Sequence, residues 1–229
     1  MEPPKLSTMV VLYNLNIKLD TSILLDQLPL DESIIKIEKR GVQVKGESSR
    51  DKIKRRSKKA DTPKTGFGHN SVTVVLLNDG GGKLRMKEIT VKIFQNGVFH
   101  MTGVLDDLYD SNVLQVLMTA IWKTGCVINR PEEWKVDKRR VVLMNYTTDL
   151  KRTVPREALC KQIRIDYPDV IVSYDPDVYP GVKIQFESKR IAKVFRTGKI
   201  ILTGVTCYDD CLSLINELNE VFEKTLYSK

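Results

Sequence analysis

Residues 91–104 (VKIFQNGVFHMTGV) and 192–205 (AKVFRTGKIILTGV) are two versions of one segment, 101 positions apart. Lys92/Lys193, Phe94/Phe195, Gly97/Gly198, Thr102/Thr203, Gly103/Gly204 and Val104/Val205 are identical between them. A second echo lies upstream, where MVVLYNL (Met9 to Leu15) matches RVVLMNY (Arg140 to Tyr146) at an offset of 131. An internal repeat constrains the fold before any residue propensity does, because each copy must build the same supersecondary unit. The two offsets differ by about 30, so the first copy carries an insertion of about that length between its two landmarks.

Size and charge narrow the possibilities. A chain of 229 residues suffices for one large domain or two of about 100 residues each. The repeat favours the second division, with a first copy over residues 1–124, a linker over 125–138 and a second copy over 139–229. The net charge of +8 and the pI near 9.2 favour an anionic partner. Nucleic acid comes first and an acidic membrane surface second. No stretch reaches the ~18 apolar residues of a membrane span, and Met1 to Thr8 has no signal-peptide core. Four cysteines without a secretory signal argue for a reducing compartment.

Each copy reads as strand, helix, four strands, helix. The opening strands are Val10 to Leu15 and Val141 to Tyr146. Amphipathic helices follow at about Ser22 to Leu28, capped by Asp20 or Ser22, and at about Pro155 to Asp166, where Pro155 suits a first turn. The β-rich runs are Ile34 to Glu38, Val72 to Leu77, Glu88 to Phe94 and Val98 to Thr102. In copy two they are Val170 to Tyr174, Val182 to Phe186, Ile191 to Phe195 and Lys199 to Thr203. Asn96-Gly97 and Thr197-Gly198 stand where tight hairpin turns belong. The closing helices show apolar stripes at Val113, Leu114, Leu117 and Ile121, and at Leu214, Ile215, Leu218, Val221 and Phe222. Gly125 ends the first of these. Sequential strands joined by hairpins make an antiparallel α+β fold with helices on one face of the sheet.

The other face is the telling one. Phe99 and Met101 share one strand parity, and Val98, His100 and Thr102 the other. Ile200 and Leu202 oppose Lys199, Ile201 and Thr203. If one parity packs on helices, the other leaves a partly apolar sheet face bare, and such faces mark a partner surface unless another element or chain covers them.

The extra residues of copy one fall mainly between Lys39 and Gly66. Lysines and arginines, among them Lys52, Lys54, Arg55 and Arg56, crowd this stretch, with Glu47, Asp51 and Asp61 as its acids. Low apolar content predicts a loop. It reads as a phosphate-contacting arm, as a nuclear-import signal at KIKRRSKK, or as a solvated loop.

Catalysis finds little support. His69 and His100 are the two histidines, and no Ser-His-Asp or Cys-His set can be placed. Asp79-Gly80-Gly81-Gly82-Lys83 lacks the spaced glycine and the hydroxyl residue of a phosphate loop and reads as a hairpin turn. Cys207 and Cys211 have no second ligand pair and read as small core residues rather than a metal site.

The run from Tyr174 to Val205, YDPDVYPGVKIQFESKRIAKVFRTGKIILTGV, resembles the second repeat of the TATA-box-binding protein family. An acid-Pro-acid run after tyrosine, an aromatic-Pro-Gly, and a strand ending in Thr-Gly occur in the family's order. LYNLNIKLD (Leu12 to Asp20) and IFQNGVFHMTG (Ile93 to Gly103) resemble the first repeat more faintly. The resemblance implies a two-repeat, pseudo-symmetric saddle: a ten-stranded curved antiparallel sheet whose concave underside lies in the DNA minor groove, with four helices on the convex face. It implies aromatic wedges between base steps at Phe67 and Phe94 in copy one and at Tyr179 and Phe195 in copy two, with kinking of about 80° in that family. Thr8, Val10, His100, Thr102, Arg139, Val141, Ile201 and Thr203 match positions facing the groove. Arg190, Arg196 and Lys199, with the insertion's Lys52, Lys54, Arg55 and Arg56, are expected phosphate contacts. Asp175 and Asp177 keep the acidic loop where the B-class transcription factor docks in family members.

The departures matter. The family's paired groove asparagines are replaced by Thr8 and Arg139, and a groove valine by His100. Because the minor groove distinguishes mainly A·T from G·C, strict TATA selectivity is expected to be reduced. The resemblance thus implies a monomeric, cofactor-free, metal-free transcription initiation factor that bends duplex DNA and recruits polymerase machinery. Its location would be the nucleus, or a virus factory or virion if the origin is a large DNA virus. Its rivals are a protein-interaction scaffold that kept the saddle, and the recognition domain of a DNA-processing complex.

Overall fold

The computed structural model describes residues 1–52, 70–129, 131–186 and 189–226. In chain order its elements are β1 (Lys5–Leu15), α1 (Thr21–Gln27), β2 (Ile34–Lys39), β3 (Gln43–Gly46), a 3-10 turn (Ser49–Lys52), β4 (Ser71–Asn78), β5 (Lys87–Phe94), β6 (Val98–Val104) and α2 (Asp107–Thr124). They continue with β7 (Val136–Asp149), α3 (Arg156–Asp166), β8 (Ile171–Asp175), β9 (Tyr179–Gln185), β10 (Ile191–Val194), β11 (Lys199–Val205) and α4 (Tyr208–Leu226). The ten expected strands and four expected helices are all present. The eleventh strand, β3, lies inside the insertion.

Two compact units form, one from Val10–Arg140 and the other from Met1–Met9 with Val141–Lys229. In the first, the strands run β3-β2-β4-β5-β6-β1 with the start of β7. In the second, the start of β1 and the rest of β7 lead into β11-β10-β9-β8. The hairpin partners are antiparallel, with Lys92 opposite His100 in the first unit and Lys193 opposite Ile201 in the second.

Helix ends follow from capping chemistry. Asp20 accepts hydrogen bonds from the Ser22 and Ile23 amides, so it is the cap of α1. Asp106 caps α2, accepting from the Leu108 amide, and Gly125 closes it at φ 71°. Asp209 and Asp210 in the first turn of α4 and Lys224 in its last complement the helix dipole.

Strand parity decides what enters each core. In the first unit Phe99, Met101, Ile89, Val91, Val72 and Val74 are buried, as are Val113, Leu117 and Ile121 of α2. In the second, Ala192, Val194, Ile200 and Leu202 pack with Ile163 of α3 and Leu214, Leu218 and Phe222 of α4. Alternate residues on these strands face away from the helices. Cys211 belongs to this core, but Cys207 is exposed, so only one of that pair is a core residue.

The repeated turn glycines have the same job in both units. Gly97 and Gly198 hold φ values of 77° and 88°, and a Cβ there would stand 2.3 Å from the carbonyl oxygens of Ile17 and Arg152 respectively. Gly97 accepts from the Leu15 amide, and Gly198 from the Leu150 amide. The turn is thereby pressed onto the segment that follows the opening strand, which no side chain would permit.

Candidate nucleic-acid interface

In the second unit the helix-free face of the sheet carries cross-strand rows. Thr147, Ile201, Lys193 and Lys183 form one, and Thr203, Ile191 and Gln185 another. These residues are half-buried, and Lys199 beside them is exposed. The face is thus mixed apolar and cationic. Lys183 and Lys193 were not among the expected contacts. Their signal was in the sequence, since Lys193 alternates with the core residues Ala192 and Val194.

At one end of this face the rings of Tyr179 and Phe195 lie with centroids 5.8 Å apart, tilted by 58°. Gly181 leaves room for them: a Cβ there would meet the Tyr179 ring at 3.0 Å and the Phe195 ring at 3.3 Å. The Lys193 ammonium stands 5.6 Å from the Tyr179 ring centre. Both rings lie outside the helix-packed core. Beside Phe195 a groove of about 590 Å³ runs between Pro3, Thr147, Pro180, Lys199 and Ile201. Arg196 is exposed in the turn after Phe195, and Asp175 and Asp177 are exposed in the turn between β8 and β9.

The corresponding face of the first unit carries Val98, His100, Thr102, Thr90, Lys92, Thr73 and Val75. Phe94 is half-buried opposite Ser71 at the end of β5, the same repeat position as Phe195. Half-burial and the nearby Lys92 charge hold the His100 imidazole below its ordinary pKa. Thr102 donates to the Thr90 carbonyl at 3.5 Å. Val10 is buried, whereas Thr8, Val141, Ile201 and Thr203 are half-buried.

Part of this face is not open. The Ser49 amide donates to Glu88 Oε1 at 2.8 Å, the Arg50 guanidinium donates to Thr90 Oγ1 at 3.1 Å, and Asp51 pairs with Lys36 at 2.8 Å. Glu88, Thr90 and Lys36 all sit on the helix-free side, so the start of the insertion lies across the sheet instead of projecting from it. Phe67, Lys54, Arg55 and Arg56 lie outside the described residues, and Lys52 ends the 3-10 turn.

Two arginines are placed differently from expectation. Arg139, expected in the groove, donates to Asp110 at 2.8 Å, to Asp107 at 2.5 Å and to the Tyr13 hydroxyl at 3.2 Å. Asp110 is fully buried on α2, so Arg139 is drawn to the helical side. The bond to Asp110 raises the Arg139 pKa further, while burial and then Asp110 hold the Tyr13 phenol well above its usual range. Arg190, expected at a phosphate, is claimed by Asp210 and Glu217 of α4. Arg139 on β7 and Arg190 just before β10 are both long enough to reach helix carboxylates and balance their charge.

Residues 158–225 match the family model described as "Transcription factor TFIID (or TATA-binding protein, TBP)". TATA-box-binding protein 2 of Methanosarcina acetivorans is 44% identical over 41 residues, which is 18% of this chain and 22% of that protein. The TATA-box-binding protein of Sulfolobus acidocaldarius is 32% identical over 54 residues, 23% of this chain and 27% of its own. The chain thus matches about a quarter of the length of these curated relatives. The solved structure of Methanococcus jannaschii TBP aligns over 97% of this chain and 99% of its own with a TM-score of 0.59 at 14% identity. Residues 158–225 are thus similar to the TATA-binding-protein family, and the chain shares the fold of the Methanococcus jannaschii protein.

Proposed function

We propose that this protein is a transcription initiation factor that binds duplex DNA through the minor groove and bends it, with relaxed preference for TATA sequences. One observation carries the reading: the repeat puts an aromatic ring, Phe94 or Phe195, at the same strand end in each unit, beside a helix-free face edged with lysines. In the second unit the ring is already paired with Tyr179 and lies outside the core. Rings so placed can insert between base steps, and unstacking is offset by the contacts that a bent duplex gains. Lys183, Lys193, Lys199 and Arg196 supply phosphate contacts that fix position without reading sequence. Thr102, His100, Ile201 and Thr203 face the base edges. Neither Thr8 nor Arg139 supplies the amide pair that reads central acceptors, and Arg139 is held by Asp110, so sequence selectivity is weak. The exposed Asp175–Asp177 turn is the docking point for a B-class factor that brings the polymerase.

The experiment is binding of labelled A·T-rich and G·C-rich duplexes. The reading expects retention of both with a modest A·T preference. A protein that retains neither is a scaffold, a reading that the covered first face favours.

A further inference from the structure

The turn at Ser48–Lys52 is seated by a set of polar contacts. The Ser48 amide donates to Asp51 at 2.8 Å, the Ser49 amide to Glu88, the Arg50 amide to Ser48 Oγ at 3.2 Å, and the Asp51 amide to the Ser48 carbonyl at 3.0 Å. Beneath it, Val75 and Lys36 stand on the helix-free side of the sheet, yet Val75 is only 5% exposed and the Lys36 side chain 11%. Burial alone would weaken the Lys36 charge, but its hydrogen bonds to Asp51 and Glu38 outweigh that and raise its pKa. Arg50 reaches over the same surface to Thr90, whose register partner is Thr102. Its guanidinium lies 3.3 Å from where a Cβ on Gly103 would be.

The approach to this seat is fixed by the backbone. Gly46 ends β3 at φ 73°, and a Cβ there would stand 2.1 Å from the Ile35 carbonyl oxygen. Only glycine lets β3 close on β2 this tightly and turn the chain inward. The second unit has no counterpart, since β8 and β9 are joined directly by the turn at 176–178. Among the described residues, such a turn therefore lies over the sheet face of the first repeat and not over that of the second.

We propose that Ser48–Lys52 is a built-in cover on the DNA-binding face of the first repeat, which duplex DNA must displace before it reaches Thr102. This rests on the DNA-binding reading above. The contacts suit displacement. Those with Glu88, Thr90 and Lys36 are hydrogen bonds and an ion pair, which phosphate oxygens can take over. Once the cover lifts, Lys36 exchanges Asp51 for the duplex, and Arg50 leaves Thr90 with the displaced turn. Engagement of the first face accordingly waits on release of the turn.

Two variants and one exchange measurement test this. Asp51→Ala removes the pairing with Lys36 and the bond from the Ser48 amide. Arg50→Ala removes the reach to Thr90. Both are surface changes that leave the cores intact. Each is expected to bind an A·T-rich duplex about tenfold tighter than the unmodified protein, the worth of one charged hydrogen bond. In the unmodified protein, amide exchange at Ser48, Ser49, Arg50 and Asp51 is expected to speed up when duplex is added, the reverse of an ordinary footprint. Weaker binding by Arg50→Ala with slower exchange would make the turn part of the DNA contact and overturn the cover. Equal affinities with unchanged exchange would overturn it while leaving the DNA-binding reading intact. If no protein retains any duplex, the DNA-binding reading fails and takes the cover with it.

Discussion

The Arg139 guanidinium donates to the fully buried carboxylate of Asp110 at 2.8 Å, across 29 positions of sequence. The same carboxylate accepts the Tyr13 hydroxyl at 2.6 Å. This triad ties the start of β7 and the body of β1 to the first turns of α2. Arg139→Met should therefore leave a buried carboxylate with one neutral donor and cost about 3 kcal/mol in denaturant unfolding. Arg190→Gln, whose partners are partly exposed, should cost about 1–2 kcal/mol. Neither change should alter the salt dependence of DNA binding, because neither guanidinium is available to a phosphate. A flattened salt slope with unchanged stability would reverse these assignments.

The ring pair on the second unit gives the opposite pattern. Phe195 and Tyr179 lie outside the helix-packed core, so Phe195→Ala should change unfolding free energy by about 1 kcal/mol or less. It should lower duplex affinity by about tenfold or more, because a few kcal/mol per step are at stake in an inserted wedge. Gly181→Ala should act in the same direction, since its Cβ would press on both rings. Parallel denaturation and anisotropy titrations separate the two effects.

Lys183, Lys193 and Lys199 make a prediction that is numerical. Counterion release gives a slope of about −0.9 in log K against log salt for each phosphate contacted. Replacing the three with glutamine should flatten the slope by about 2 to 3. An unchanged slope would remove the second sheet face from the interface.

His100 provides the pH test. Its folded-state pKa is depressed, by burial first and Lys92 second, from a reference near 6.5. The folded protein thus favours the neutral ring. The associated stability is complete above about 6.5 and declines as pH falls through the window below it. A bound duplex adds negative potential, favours the charged ring and raises the pKa. Duplex affinity should then increase as pH falls from 7 towards 5, and His100→Gln should remove that component. NMR titration of the imidazole with and without duplex measures both shifts.

Much of this architecture can be read from local pattern. Alternation in Lys199–Thr203 and Val98–Thr102 told the two sheet faces apart, and the glycines at 97 and 198 located the turns, because both signals are confined to a few adjacent residues. The cover could not be read in that way. Its seat depends on Glu88 and Thr90, some 40 residues away, and polar contacts over that distance leave no periodicity. Arg139 and Arg190 were misplaced for a related reason. Strand parity fixes the direction of a Cβ, but an arginine is long enough to follow a helix carboxylate. Asp107, Asp110, Asp210 and Glu217 exert that pull from elements distant in sequence.

Fluorescence-monitored bending of an end-labelled A·T-rich duplex tests the central claim most directly. The unmodified protein should bring the duplex ends together, and the double variant Phe94→Ala/Phe195→Ala should bind weakly by charge alone and leave the duplex straight. A straight duplex with the unmodified protein, across a randomised library of sequences, would contradict the account.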